Sequence, residues 1–219
     1  MNRPSVRLYL ASTNPGKLRE FRLAANARGI AVEPLPGIQD LPPCVEDGDT
    51  FEANAVKKAL HYAALTRGLV FADDSGISVG ALGGAPGVFS ARFAGPQATD
   101  VENNQKLLRE LAKVAERKQQ SPRMLASASP SNGFLARYVC VIALADDSKI
   151  RHIAYGEAAG LIIETARGAG GFGYDPYFFY PPLGRTFAEL SADEKFAVSH
   201  RGIAFRKLLD ALVAREGKS

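Results

Sequence analysis

The 219-residue chain has only two cysteines, Cys44 and Cys140. They lie far apart in sequence, with no His or Cys at metal-ligand spacing, which excludes a disulfide framework and a zinc site of the usual kind. Two buried free thiols in a reducing compartment, and so a cytoplasmic location, are expected. The chain also lacks an apolar run long enough to cross a bilayer, and residues 1–5 pass into a mixed segment with no signal-peptide core. No membrane role is expected. It has no internal repeat, arginine-rich arm, finger spacing or aromatic RNA-binding signature. The net charge of +4 is spread along the chain, which suits an anionic small molecule better than nucleic acid.

What the chain does contain is ordinary for a globular protein: 46% hydrophobic and 23% charged residues, enough to bury a substantial core. We expect a single domain over residues 1–219. Strands are expected near 6–12, 31–35, 69–72, 134–145, 150–158, 161–165 and 177–180. Helices are expected over 17–28, from an Asp49/Glu52 capping box to about 66, from a Thr99/Glu102 box to about 118, and from a Ser199 cap to about 215. Residues 119–133, rich in Ser, Pro and Gln, read as a flexible surface loop. Helices before strands early and hairpins in the middle indicate an α/β protein with a mixed sheet and flanking helices.

The feature that carries most chemistry is Asp73-Asp74-Ser75-Gly76, reached directly from the apolar run Leu69-Val70-Phe71-Ala72. Asp and Ser before Gly are ordinary turn residues. Two carboxylates at the end of a buried strand are nevertheless costly unless positive charge meets them, and a hard cation would supply it. Adjacent strand residues point to opposite faces, so Asp73 and Asp74 need not share a role.

Three further groups accompany them. Ser12-Thr13-Asn14-Pro15-Gly16-Lys17 ends a strand and opens a helix, where backbone N–H groups and a lysine suit phosphate, although helix capping explains the same residues. Glu46, in a loop, offers a second oxygen ligand or stands as a solvated residue. Gly170-Gly171-Phe172-Gly173-Tyr174-Asp175-Pro176 places a ring among glycines, as a base-stacking loop or a tight turn would. Downstream, Lys195 and Ser199-His200-Arg201 offer donors for phosphate or for a purine with a 6-oxygen. Positive charge at a helix start opposes the helix dipole, which calls for an explanation beyond local structure.

Taken in order, these groups resemble the inosine triphosphate pyrophosphatase family, which hydrolyses non-standard purine nucleoside triphosphates. The matching stretches are residues 10–17, 46–58 (with Thr50-Phe51 and Asn54-Ala55), 72–76, 82–87, 90–92, 171–176 and 194–202. The resemblance implies an elongated mixed-sheet α/β fold with two lobes around a cleft, a homodimer, Mg²⁺ dependence, and release of pyrophosphate from ITP, dITP or XTP. It also implies site residues. Asp74 is the catalytic base and, with Glu46, a metal ligand. Ser12, Thr13, Asn14, Pro15, Gly16 and Lys17 form the phosphate-side loop; apart from the resemblance, Lys58 is expected to join Lys17 in stabilising phosphate charge. Ser75 touches substrate, and Phe172, Gly173, Tyr174, Asp175, Lys195, His200 and Arg201 surround base and sugar. Two alternatives stand beside this: a related pyrophosphatase for pyrimidine or methylated nucleotides, and a nucleic-acid-binding module.

Overall fold

The computed structural model describes residues 6–26, 28–119 and 133–216. The expected loop at 119–133 therefore falls mostly outside the described residues; its first member, Gln119, ends a helix. The elements in order are β1 (Arg7–Leu10), α1 (Pro15–Asn26), β2 (Ala31–Pro34), α2 (Phe51–Ala63), β3 (Leu69–Val79) and α3 (Asp100–Gln119). They continue with β4 (Phe134–Asp146), β5 (Lys149–Ile162), β6 (Phe178–Tyr180), β7 (Arg185–Thr186), α4 (Ala192–Val198) and α5 (His200–Glu216). Among the described residues the strands form one sheet in the order β2-β1-β3-β4-β5-β6-β7. β1 pairs in parallel with β2 and β3, whereas β6 is antiparallel to β5 and β7. The sheet is mixed, as expected.

By compactness the chain divides into two units. The first is Met1–Ser75, Val139–Glu157 and Phe196–Ser219; the second is Gly76–Tyr138 and Ala158–Lys195. In the first unit the two-residue periodicity of β3 sorts its side chains between two cores. Phe71 packs on one face with Phe21 of α1 and Phe205 of α5, ring centroids 5.1 and 5.5 Å away. Burying each ring contributes roughly 1.5–3 kcal/mol, which anchors both helices to that face. Val70 and Ala72 face the other way, against Ala55, Ala59 and Ala63 of α2. Alanines on both sides let α2 lie close to the sheet. In the second unit, Tyr138, Phe178 and Phe187 form an aromatic cluster, with Tyr138 and Phe187 stacked at 5.8 Å.

Three expectations need correction. The strand does not end at Asp73-Asp74 but runs to Val79. The glycine-rich segment after it folds back and supplies partners: Ile77 N–H donates to Ser90 Oγ at 2.9 Å, and Val79 N–H donates to the Ala85 carbonyl. Gly76 permits this approach, because a Cβ there would meet Ser90 and the Gly87 carbonyl. The second helix is capped by Thr50, whose hydroxyl accepts from Ala53 N–H at 3.0 Å, and not by Asp49. The expected strands at 150–158 and 161–165 are one, since β5 runs unbroken to Ile162. The Thr99/Glu102 box forms as read, with Thr99 N–H donating to Glu102 at 2.7 Å.

Candidate active site

The alternation that sorts the hydrophobic residues of β3 also separates its two carboxylates. Asp73 continues the Phe71 face, toward α1 and α5. Asp74 continues the Ala72 face, toward α2. Both lie just past Phe71, the last β3 residue paired to β1, so they stand at the carboxyl edge of the parallel strands, where open α/β sheets place ligands.

On the first face, Asp73 Oδ2 lies 2.9 Å from the Lys17 ammonium, 3.2 Å from Ser75 Oγ and 3.6 Å from Arg201 Nε. Burial alone would raise the Asp73 carboxyl, but Lys17, Arg201 and Lys58 outweigh it and hold the pKa at about 2. Arg201, only 4% exposed, also meets Glu20 at 2.5 Å and donates to Ser75 Oγ at 3.0 Å. Burial opposes its charge, yet Glu20 and Asp73 keep its pKa raised. These pairs account for a cation at a helix start, where the dipole disfavours it.

On the second face, Asp74 accepts from Asn54 Nδ2 at 3.0 Å and from Ser75 N–H at 3.0 Å. Burial pushes its carboxyl up and Glu46 adds to the rise, while Lys58 and Asn54 pull the other way. Lys58 lies 2.7 Å from Glu46 and donates to the Asp73 carbonyl at 3.2 Å. Its burial favours the neutral amine, but Glu46 and Asp73 outweigh that and keep its pKa raised. Glu46 pairs with Lys58, and Asp74 feels the charge of both; carboxylate oxygens of this kind would suit a hard divalent ion that keeps several of its waters. Among the described residues no three His, Cys, Asp or Glu side chains gather as a metal cluster.

Residues 12–17, expected to face phosphate, fold as a helix cap. Asn14 Oδ1 accepts from the Gly16 and Lys17 N–H groups at 2.8 and 3.2 Å, and Ser12 Oγ accepts from Asn14 N–H. Pro15 takes the first helical position, where a missing N–H costs nothing. Thr13, Asn14 and Pro15 are exposed.

In the second unit, Asp175 organises the Phe172 loop. Its carboxylate accepts from Phe172 N–H at 2.9 Å, from Lys195 Nζ at 2.6 Å and from Tyr138 Oη at 3.3 Å. The Lys195 ammonium lies 4.8 Å from the Phe172 ring centroid. Gly171 has φ +72°, and a Cβ there would run into Asp175. That glycine is therefore required by the loop's own fold. Gly173 is gripped at both ends, its N–H donating to Asp100 at 2.7 Å and its carbonyl accepting from Asn104 at 2.9 Å. Tyr174 Oη donates to the Ser90 carbonyl.

The sequence-derived residues thus form two groups. Ser12 to Lys17, Glu46, Lys58, Asp74, Ser75, His200 and Arg201 belong to the first unit, and Phe172 to Asp175 with Lys195 to the second. His200 is buried at the first position of α5. Lys195 and Arg201, close in sequence, serve different carboxylates: Asp175 and Asp73. Asn54 lies in one of the matching stretches but was given no role, and Glu20, Asp100 and Asn104 were not named from the sequence. For Asn54 a signal existed: it sits one helical turn before Lys58, on the same face of α2.

A family model described as the Ham1 family matches residues 8–211. The chain belongs to the Ham1 family. It is 43% identical over 211 residues to a dITP/XTP pyrophosphatase of Streptococcus pyogenes, a match spanning 96% of this chain and 60% of that protein. The chain thus spans about three-fifths of the length of that streptococcal relative. A dITP/XTP pyrophosphatase of Desulforamulus reducens is 41% identical over 210 residues, covering 94% of this chain and 96% of the relative. The structure of a HAM1 protein from Coxiella burnetii superposes with a TM-score of 0.79 at 38% identity, covering 95% of this chain and 99% of that one.

Proposed function

We propose that this Ham1-family chain hydrolyses non-standard purine nucleoside triphosphates (ITP, dITP and XTP) to the nucleoside monophosphate and pyrophosphate. The observation that carries the reading is the division of the Asp73-Asp74 pair. One carboxylate is locked in ion pairs and held strongly acidic; the other is made more basic by burial and faces Lys58 and Glu46. A raised carboxylate is a proton acceptor, and Asp74 takes the proton of the attacking water as the P–O bond to the leaving pyrophosphate breaks. Lys17 and Lys58 stabilise the charge that develops on the phosphoryl oxygens. Mg²⁺ fits Glu46 and Asp74, and when bound it offsets phosphate charge and orients the chain of phosphates. The dITP/XTP pyrophosphatase names of the relatives support the same reaction.

For the base, we assign stacking to Phe172 and donation toward a 6-oxygen to Lys195. Adenine carries an amino group at that position and gives the ammonium no acceptor. Ser75, His200 and Arg201 complete the proposed substrate contacts. The reading includes a homodimer working in the cytoplasm. Two free thiols support the latter, and among the described residues no helix is long and apolar enough to cross a membrane.

The test is a panel of ITP, dITP, XTP, GTP, ATP, TTP and UTP, with Mg²⁺ and with a chelator, and identification of the released ion. Pyrophosphate from the first three, lost on chelation, is expected. Orthophosphate, or equal turnover of TTP and UTP, overturns the reading.

A further inference from the structure

Asn54 is 1% exposed and uses both ends of its carboxamide. Its Oδ1 accepts from Gly48 N–H at 2.8 Å, and its Nδ2 donates to the Gly48 carbonyl at 3.3 Å and to Asp74 Oδ2 at 3.0 Å. An N–H on one side and two oxygens on the other fix which end is nitrogen. Gly48 stands two residues from Glu46 in the loop that leads into α2. A single side chain therefore ties the Glu46 loop to the Asp74 carboxylate. The approach depends on Gly48 itself, because a Cβ there would come 2.8 Å from Asn54 Oδ1 and 2.9 Å from Ala53 Cβ. Ser75 N–H holds the other Asp74 oxygen, so two donors set the orientation of the carboxylate.

We propose that Asn54 is a positioning residue for the reaction: it holds the Asp74 carboxylate and the Glu46 loop in one frame. The proposal rests on the reading of Asp74 as proton acceptor. Other side chains do only part of this. Asp at position 54 keeps an acceptor for Gly48 N–H but loses the donor and sets a second carboxylate against Asp74. Ala loses both contacts, and Gln is one methylene too long.

Asn54→Ala and Asn54→Asp separate the two contacts. Two measurements apply to the full chain with Mg²⁺: kcat and KM for dITP, and hydrogen exchange of residues 46–50, with residues 69–72 as a monitor of the fold. Asn54→Ala is expected to speed exchange at 46–50 and lower kcat about 10- to 100-fold, the weight of a hydrogen bond to a charged group, with little change in KM. Asn54→Asp is expected to keep 46–50 protected while lowering kcat at least as far. Three results each overturn the proposal: Asn54→Asp with near-wild-type kcat, Asn54→Ala with unchanged exchange at 46–50, or loss of protection at 69–72 in both variants. A wild-type chain that releases no pyrophosphate overturns the functional reading instead, and the exchange of 46–50 still decides the clamp.

Discussion

Asp73→Asn removes a charge from the interior without changing its shape, and its effect can be worked from the structure. The carboxyl lies at about 2, against an ordinary 3.8. At about 1.4 kcal/mol per unit, this depression is worth about 2.5 kcal/mol to the folded state. The folded value is the lower one, so the contribution is present in full above the unfolded value near 4 and is lost as pH falls through about 2. The substitution also takes from buried Arg201 one of the carboxylates facing it, and breaking a buried pair from one side costs about 3–5 kcal/mol. Urea unfolding followed by circular dichroism is expected to show Asp73→Asn less stable by about 2–5 kcal/mol at pH 7. Between pH 5 and pH 2, wild type is expected to lose about 2 kcal/mol more than the variant. A variant as stable as wild type at pH 7, or one with an equal loss on acidification, refutes the assignment of Asp73 as the anchor of these cations.

Two substitutions probe the proposed chemistry directly. Asp74→Asn keeps the acceptor for Ser75 N–H but cannot take a proton; pyrophosphate release is expected to fall about 10²–10⁴-fold with the circular dichroism spectrum unchanged. Turnover within a few-fold of wild type removes Asp74 from the role of base. Phe172→Ala deletes the proposed stacking surface while leaving its N–H to Asp175. KM for dITP is expected to rise about 5- to 150-fold, the equivalent of about 1–3 kcal/mol, and an unchanged KM refutes the stacking assignment.

Much of the arrangement was legible because short-range physics sets it. The Thr99/Glu102 box, the Ser199 cap and the aromatic strand near 178–180 follow from residue types a few positions apart, and all appear where expected. The end of β3 was not legible, because Ser75-Gly76 is a turn signal locally and extended chain only when Ser90 arrives to bond Ile77 N–H. Thr50 and Asp49 are both good caps; the choice between them goes with Asn54 tethering Gly48 at the entrance to α2. Nor could spacing show that Lys195 and Arg201, six residues apart, answer to different carboxylates.

The Asp73-Asp74 pair marks the division most clearly. That two acids follow a buried apolar strand, that such acids need cations, and that a period of two turns them to opposite faces can all be read from residue order. Which helix lies on which face depends on long-range packing. Phe21 and Phe205 dock α1 and α5 beneath Phe71, bringing Lys17 and Arg201 to Asp73. The small residues of α2 let it settle over Ala72, bringing Asn54 and Lys58 to the side of Asp74. One acid is thereby spent on ion pairs and the other has its pKa raised, chiefly by burial, because the fold, and not the local sequence, sets the surroundings of each.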